Sequence, residues 1–178
     1  MGRAQAYWTL LSGGFGHLWS SNTLWGLGWA YEGCDRNWKA HLDDPGTVDM
    51  ERLKGFFDRC RTAELVPDLD HSVMTEGLGS FASDDYGVGD YATAARTADG
   101  KLFVAYLPTK RTVTIDTSKL AGAVAAGWYD PTSATWLPVG GAPIENRGTQ
   151  EFTPPDRNRD GDSDFVLVLE TAGGSCAR

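Results

Sequence analysis

Long apolar stretches are missing from this sequence, and no run approaches the roughly 18 residues that a membrane-spanning helix needs. The opening Met1-Gly2-Arg3-Ala4-Gln5-Ala6-Tyr7-Trp8 has neither an apolar h-region nor a small-residue cleavage site, so no signal peptide is expected there. Ala6 also stands where the myristoylation pattern wants Ser or Thr. Cysteine is scarce. Cys34, Cys60 and Cys176 show no C-x-x-C spacing, which argues against zinc and redox motifs. The plain expectation for this odd count is three free thiols, with a Cys34–Cys60 bridge as the alternative, and neither fixes the compartment. Positive charge is short as well: 16 Lys and Arg against 24 Asp and Glu give a net charge of −8. Such a chain is poorly suited to nucleic acid or an anionic membrane surface. The absence of a G-x-S-x-G elbow and of a glycine-rich phosphate loop removes serine hydrolases and nucleotide enzymes.

What is present suits a folded chain. The 178 residues allow one ordinary domain or two small ones, and 41% hydrophobic with 22% charged residues is the balance of a globular protein. Five of the seven tryptophans lie in the first 38 residues. Ala4, Tyr7, Trp8 and Leu11 follow i, i+3, i+4, i+7, which predicts a helix that Gly13-Gly14 ends. A second helix is expected from Pro45 to Arg61, with Asp44 as N-cap, Pro45 in the first helical position and an apolar stripe of Met50, Leu53, Phe56, Phe57 and Cys60. Between the helices lies a short apolar run, Phe15 to Trp19, read as a strand, followed by an aromatic loop. Leu65-Val66-Pro67 is a further short extended piece. Residues 75–90 are rich in Gly, Ser and Asp and read as a loop or linker.

Beyond residue 90 the period changes to two. Seven strands are expected: Tyr91–Thr97, Leu102–Leu107, Thr112–Asp116, Val124–Tyr129, Thr135–Val139, Thr149–Thr153 and Asp164–Glu170. Asp99-Gly100 predicts a hairpin with both central positions at positive φ, Asp130-Pro131-Thr132-Ser133 a type I turn, and Gly140-Gly141 a break. Seven short strands at this spacing suggest an antiparallel sandwich. The first 70 residues offer too little sheet to bury two helices, which points to the last strand–helix units of a barrel.

The segment from Arg3 to His17 resembles the penultimate helix and last strand of apiosidase-like glycoside hydrolases, in which an R-x-x-x-Y-W helix leads into a G-H-T-Y-G strand. Trp25 fits the family's loop tryptophan. Leu42-Asp43-Asp44-Pro45-Gly46 is similar to the entry of the last barrel helix, and Leu65-Val66-Pro67-Asp68 to its exit. Tyr91 to Leu169 resembles the β-sandwich that follows the barrel, a domain labelled collagen-binding. Its telling pieces are Ala94-Ala95-Arg96, Tyr106-Leu107-Pro108, Trp128-Tyr129-Asp130-Pro131, Phe152-Thr153-Pro154-Pro155 and Phe165-Val166-Leu167-Val168-Leu169. The chain departs from the family at Leu18-Trp19-Ser20, where Thr-Tyr-Gly is usual. The resemblance implies an α+β fold: a C-terminal remnant of a (β/α)8 barrel over 1–74, a linker over 75–90, an all-β antiparallel sandwich over 91–172 and a tail over 173–178. It also implies a secreted or periplasmic parent. The family's catalytic carboxylates precede what corresponds to Arg3.

No catalytic residue is therefore assigned, and the isolated chain is expected to be inactive. A glycosidase needs two carboxyl groups flanking the bond. Near the aromatic cluster only Glu32 and Asp35 are available, and both read as solvated loop charges. By the resemblance, His17 at the end of the last barrel strand would hydrogen-bond a substrate hydroxyl; the alternative is a packed histidine. Trp19, Trp25 and Trp29, with Tyr31, form the aromatic loop. Sugars stack their C–H faces on indole rings, and Trp19 and Trp25 are candidate carbohydrate contacts, against the alternative that they fill the barrel mouth. Trp128 and Trp136, on neighbouring strands, read as core. His41 and His71 read as surface or linker residues. Carbohydrate is the expected partner, and the incomplete barrel is expected to promote self-association.

Residues 156–164 read D-x-N-x-D-G-D-x-D. Asp156, Asn158, Asp160, Asp162 and Asp164 supply oxygens at alternate positions around Gly161, a spacing that suits calcium. The twelfth place, where a Glu is expected, falls on Leu167, and Arg157 and Arg159 reduce the local negative charge. The competing reading is a polar hairpin loop between the last two strands, held by Asx-turns.

Overall fold

Helix α1 (Gly2–Leu11) opens the computed structural model, which describes residues 2–26, 37–60, 62–81, 89–173 and 176. Ala6, Tyr7 and Leu11 are buried on its inner face, and Ala4 and Trp8 pack partly against the same cluster. Gly13, at φ 95°, turns the chain out of the helix, and the Gly14 N–H donates to the Thr9 carbonyl at 2.8 Å. A four-residue helix follows, α2 (Asn22–Trp25), capped by the Ser21 hydroxyl. Helix α3 (Pro45–Arg59) begins with proline as expected. Asp44 occupies the N-cap, but its carboxylate bonds His41 Nδ1 at 2.9 Å instead of the helix N–H groups. Leu53 and Phe56 are the buried members of the α3 stripe.

The strand expected over Phe15 to Trp19 does not form. Nothing from 12 to 21 pairs into a sheet, and Phe15 and Leu18 stand 108% and 87% exposed. An extended segment becomes a strand only when a neighbour takes its N–H and C=O groups, and none of the described strands lies beside it.

Nine strands are described: β1 (Leu65–Pro67), β2 (Met74–Glu76), β3 (Thr93–Thr97), β4 (Leu102–Leu107), β5 (Val113–Asp116), β6 (Val124–Asp130), β7 (Thr135–Ile144), β8 (Thr149–Phe152) and β9 (Phe165–Thr171). One sheet has the order β1-β3-β4-β9-β6-β7 and the other β2-β5-β8, and every pairing is antiparallel. Each of the seven expected strands has a counterpart. The sheets nevertheless begin earlier than residue 91, because β1 and β2 are drawn into them. Gly77 shows how closely β2 and β5 approach: a Cβ there would lie 2.2 Å from the Thr112 carbonyl oxygen. At Asp99-Gly100 only the glycine has positive φ (68°), and its N–H donates to Thr97 O at 2.9 Å, so the turn is not the two-residue primed type. Gly140-Gly141 does not end β7; the register jumps from Val124↔Ile144 to Ala126↔Val139, which leaves residues 140–143 opposite Ala125 in an enlarged bulge.

β4 and β9 read as unbroken apolar runs because both their faces are covered. Phe103, Ala105 and Leu107, with Phe165, Leu167 and Leu169, meet Met74, Val113, Ile115 and Phe152 between the sheets. Leu102, Val104 and Tyr106, with Val166 and Val168, point the other way and meet Ala6, Tyr7, Leu11, Leu53 and Phe56 of the helices. The Tyr7 ring stacks on Tyr106 with centroids 4.5 Å apart. Each such ring contributes roughly 1.5–3 kcal/mol by burial. Trp128 lies in the inter-sheet core, whereas Trp136 pairs with Tyr129 beneath Phe56, so the two tryptophans serve opposite faces.

The cysteine reading is corrected. Cys60, just past α3, and Cys176 form a disulfide across 116 residues of sequence. Cys34 lies outside the described residues, as do Trp29, Tyr31, Glu32 and Asp35.

Candidate functional site

Where the N-terminal ends of α1 and α3 meet the 156–164 loop, a cleft of about 740 Å³ opens. Arg3 sits at its base. Its Nε and Nη2 donate to the two carboxylate oxygens of Asp164 at 2.7 and 2.8 Å. Nη1 donates to Asp49 on α3 at 2.7 Å, and Nη2 also reaches Asp162 at 2.8 Å. Asp164 in turn accepts from the Tyr106 hydroxyl at 2.9 Å and from Asn158 Nδ2 at 2.7 Å. One guanidinium thus ties α1, α3, β4 and the loop before β9. Burial pulls the Arg3 pKa down, but the hydrogen bonds and charge of Asp164, with Asp49 and Asp162, outweigh it and hold the value above the ordinary one. Burial, then the charge of Asp164, pushes the Tyr106 phenol well up. The paired fork geometry is one that lysine could not reproduce.

A cation in the first turn opposes the helix dipole, so Arg3 needs acidic partners. That was the available sign of the cluster, yet sequence reasoning used Arg3 and Tyr106 only as parts of motifs and missed Asp49.

The loop is tightly turned. Asn158 N–H donates to the Asp162 carbonyl at 2.8 Å, Asp162 N–H to Asn158 Oδ1 at 2.9 Å, and Gly161 adopts φ 91°. It joins β8 of one sheet to β9 of the other, so it is a crossing connection and not a hairpin. Of the five candidate calcium ligands, Asn158, Asp162 and Asp164 converge on Arg3 or one another, while Asp156 pairs with Lys110 and Asp160 with Arg159. Among the described residues no group of three or more His, Cys, Asp or Glu is placed to hold a metal ion. The neighbouring turn after β6 is organised by Asp130. Its carboxylate accepts from Thr132 N–H and Oγ1, Ser133 Oγ and Arg159 N–H at 2.7–3.0 Å.

The three expected carbohydrate contacts separate. Trp19 lines the cleft, wedged between the two helix starts. Trp25 closes α2 with 71% exposure. His17 is half-buried in the segment between α1 and α2. Neither His17 nor Trp25 is on the cleft wall. His41 bonds Asp44, and His71, at φ 53°, shares a hydrogen bond with the Tyr91 hydroxyl.

The layers and the seam define a helix-backed antiparallel β-sandwich. Residues 80–170, more than half of the chain, match the family described as "Putative collagen-binding domain of a collagenase", and the chain belongs to that family. Residues 1–64 match the family described as "Apiosidase-like, catalytic domain", so the order expected from the resemblance holds. Among solved structures, a glycoside hydrolase family 5 protein from Bacteroides vulgatus ATCC 8482 is similar over 99% of this chain, with 27% identity and a TM-score of 0.79. A second glycoside hydrolase is similar over 99% of this chain, with 26% identity and a TM-score of 0.76. The chain spans 37% of the length of either one. No curated protein matches it.

Proposed function

We propose that this chain is the accessory, non-catalytic C-terminal part of a glycoside hydrolase-like protein. In this reading α1 and α3 are the last helices of a (β/α)8 barrel, and the sandwich buttresses that barrel and holds carbohydrate. The observation that carries it is the shared core: Tyr7, Leu11 and Phe56 pack on the outer face of β4 and β9, so the helices belong to the sandwich unit. Of the expected contacts, Trp19, which lines the cleft, is its carbohydrate contact, and His17 and Trp25 stand outside that site. The disulfide suits an oxidising compartment, which supports a secreted or periplasmic location. No helix among the described residues is long and apolar enough to cross a membrane.

The second reading is a working hydrolase of plant or microbial polysaccharide whose remaining barrel is supplied upstream or by a partner chain. The exposed Phe15, Leu18 and Trp25, which also suit self-association, favour it. Assay of the purified chain on aryl glycosides and pectic side chains tests the first reading. The accessory reading expects no turnover; turnover abolished by Glu32→Gln sinks it.

Calcium at the 156–164 loop is a proposal of the same kind. An ion there must draw Asp162 and Asp164 away from Arg3, so binding is expected only at about 10⁻⁴ to 10⁻³ M. Melting in ten millimolar calcium against chelator reads it: a rise of the midpoint that Asp160→Ala abolishes supports the site, and an unchanged midpoint removes it.

A further inference from the structure

The geometry points to a binding site for a neutral oligosaccharide in the cleft at the helix–sandwich seam, with Trp19 as its stacking platform. This rests on the carbohydrate reading above and locates the ligand away from His17 and Trp25. The indole is seated by the backbone. A Cβ on Gly2 would come within 2.8 Å of Trp19 Nε1, and one on Gly46 within 2.4 Å of its Cζ2. The two helix starts therefore leave a slot that the ring fills and that any larger residue at either position would close. A partly buried aromatic ring fixed in this way loses little entropy when a ligand stacks on it.

The cleft's carboxylate groups are fixed as well. Asp162 keeps 62% of its side chain exposed while Arg3 holds one of its oxygens, which orients the carboxylate and leaves accepting capacity for a hydroxyl. Ser163 and Thr109 line the same cleft. A sugar ring has an apolar C–H face and a hydroxyl edge, and the cleft offers an aromatic surface for one and fixed polar groups for the other. Its volume, about 740 Å³, lies in the range of roughly 300–1,000 Å³ typical of ligand pockets. The charge selects within the class. Asp49, Asp160, Asp162 and Asp164 outnumber Arg3 and Arg157 in the lining, so the cleft repels uronates and sulfated sugars.

The test uses the whole chain with cellohexaose, xylohexaose and mannohexaose as neutral probes and hexagalacturonate as the anionic one. Calorimetric titration should find at least one neutral hexaose bound, hexagalacturonate at least tenfold weaker, a loss of tenfold or more in Trp19→Ala and a change under twofold in Trp25→Ala. In the wild-type chain, the Trp19 indole N–H resonance, assigned through Trp19→Phe, should shift during the same titration, a readout that does not depend on how Trp19→Ala folds. Binding that is lost in Trp25→Ala, or that shifts other indole signals and leaves Trp19 still, overturns the cleft and spares the carbohydrate reading. Binding of none of the hexaoses overturns both.

Discussion

Asp164 gathers two donors from Arg3, one from Tyr106 and one from Asn158 around a single carboxylate. Breaking a buried cluster of this kind by removing one partner leaves an uncompensated charge, which is costlier than never having built it. Asp130 plays the comparable part at the turn after β6. Burial pushes its pKa up, but the bonds from Thr132, Ser133 and Arg159 prevail and hold it below the usual carboxylate range. Because the folded value lies below the unfolded one, near 3.9, its stabilisation is complete above about pH 4 and is lost as pH falls through the folded value. Asp130→Asn should therefore lower the melting midpoint at pH 7 by more than at pH 2. Thermal melts of both proteins across that range check this; an equal loss at the two pH values contradicts it. Arg3, Asp49 and Tyr106 were illegible as a set because they come from α1, α3 and β4, and only the folded chain brings them to one carboxylate.

At the scale of elements, the second half was legible where local chemistry decides. Thr112 to Asp116 alternates polar and apolar residues, and Asp130-Pro131 sets a turn. It misled where a distant neighbour decides. Met74–Glu76 is a strand only because β5 pairs with it, and Phe15 to Trp19 is none because no strand among the described residues lies alongside. Gly140-Gly141 sits inside β7 because β6 continues to pair beyond it. The Cys60–Cys176 bridge was equally hidden, since it closes a separation of 116 residues and depends on α3 lying against the sheet. It secures the end of that helix. Cys176→Ala should lower stability by about 2–5 kcal/mol, read by denaturant unfolding with the free thiol blocked. A loss under about 0.5 kcal/mol would mean that the bridge does not constrain the helix.

At the scale of the whole molecule, the helices and the sandwich form one unit. The resemblance divides the chain into a barrel piece and a sandwich, whereas the core runs across that division: the outer face of β4 and β9 packs against α1 and α3. Left bare, that face would expose Val104, Tyr106, Val166 and Val168, an apolar patch that a soluble domain avoids. A domain that keeps its helices in this way is suited to carry further structure on their far side, and this packing is what supports the proposed accessory role. Native-state hydrogen exchange tests the unit most directly. The amides of α1 and α3 should be protected to within about 1 kcal/mol of those of β4 and β9, all opening in one global event. Helix amides that exchange several kcal/mol sooner than the strands would contradict it.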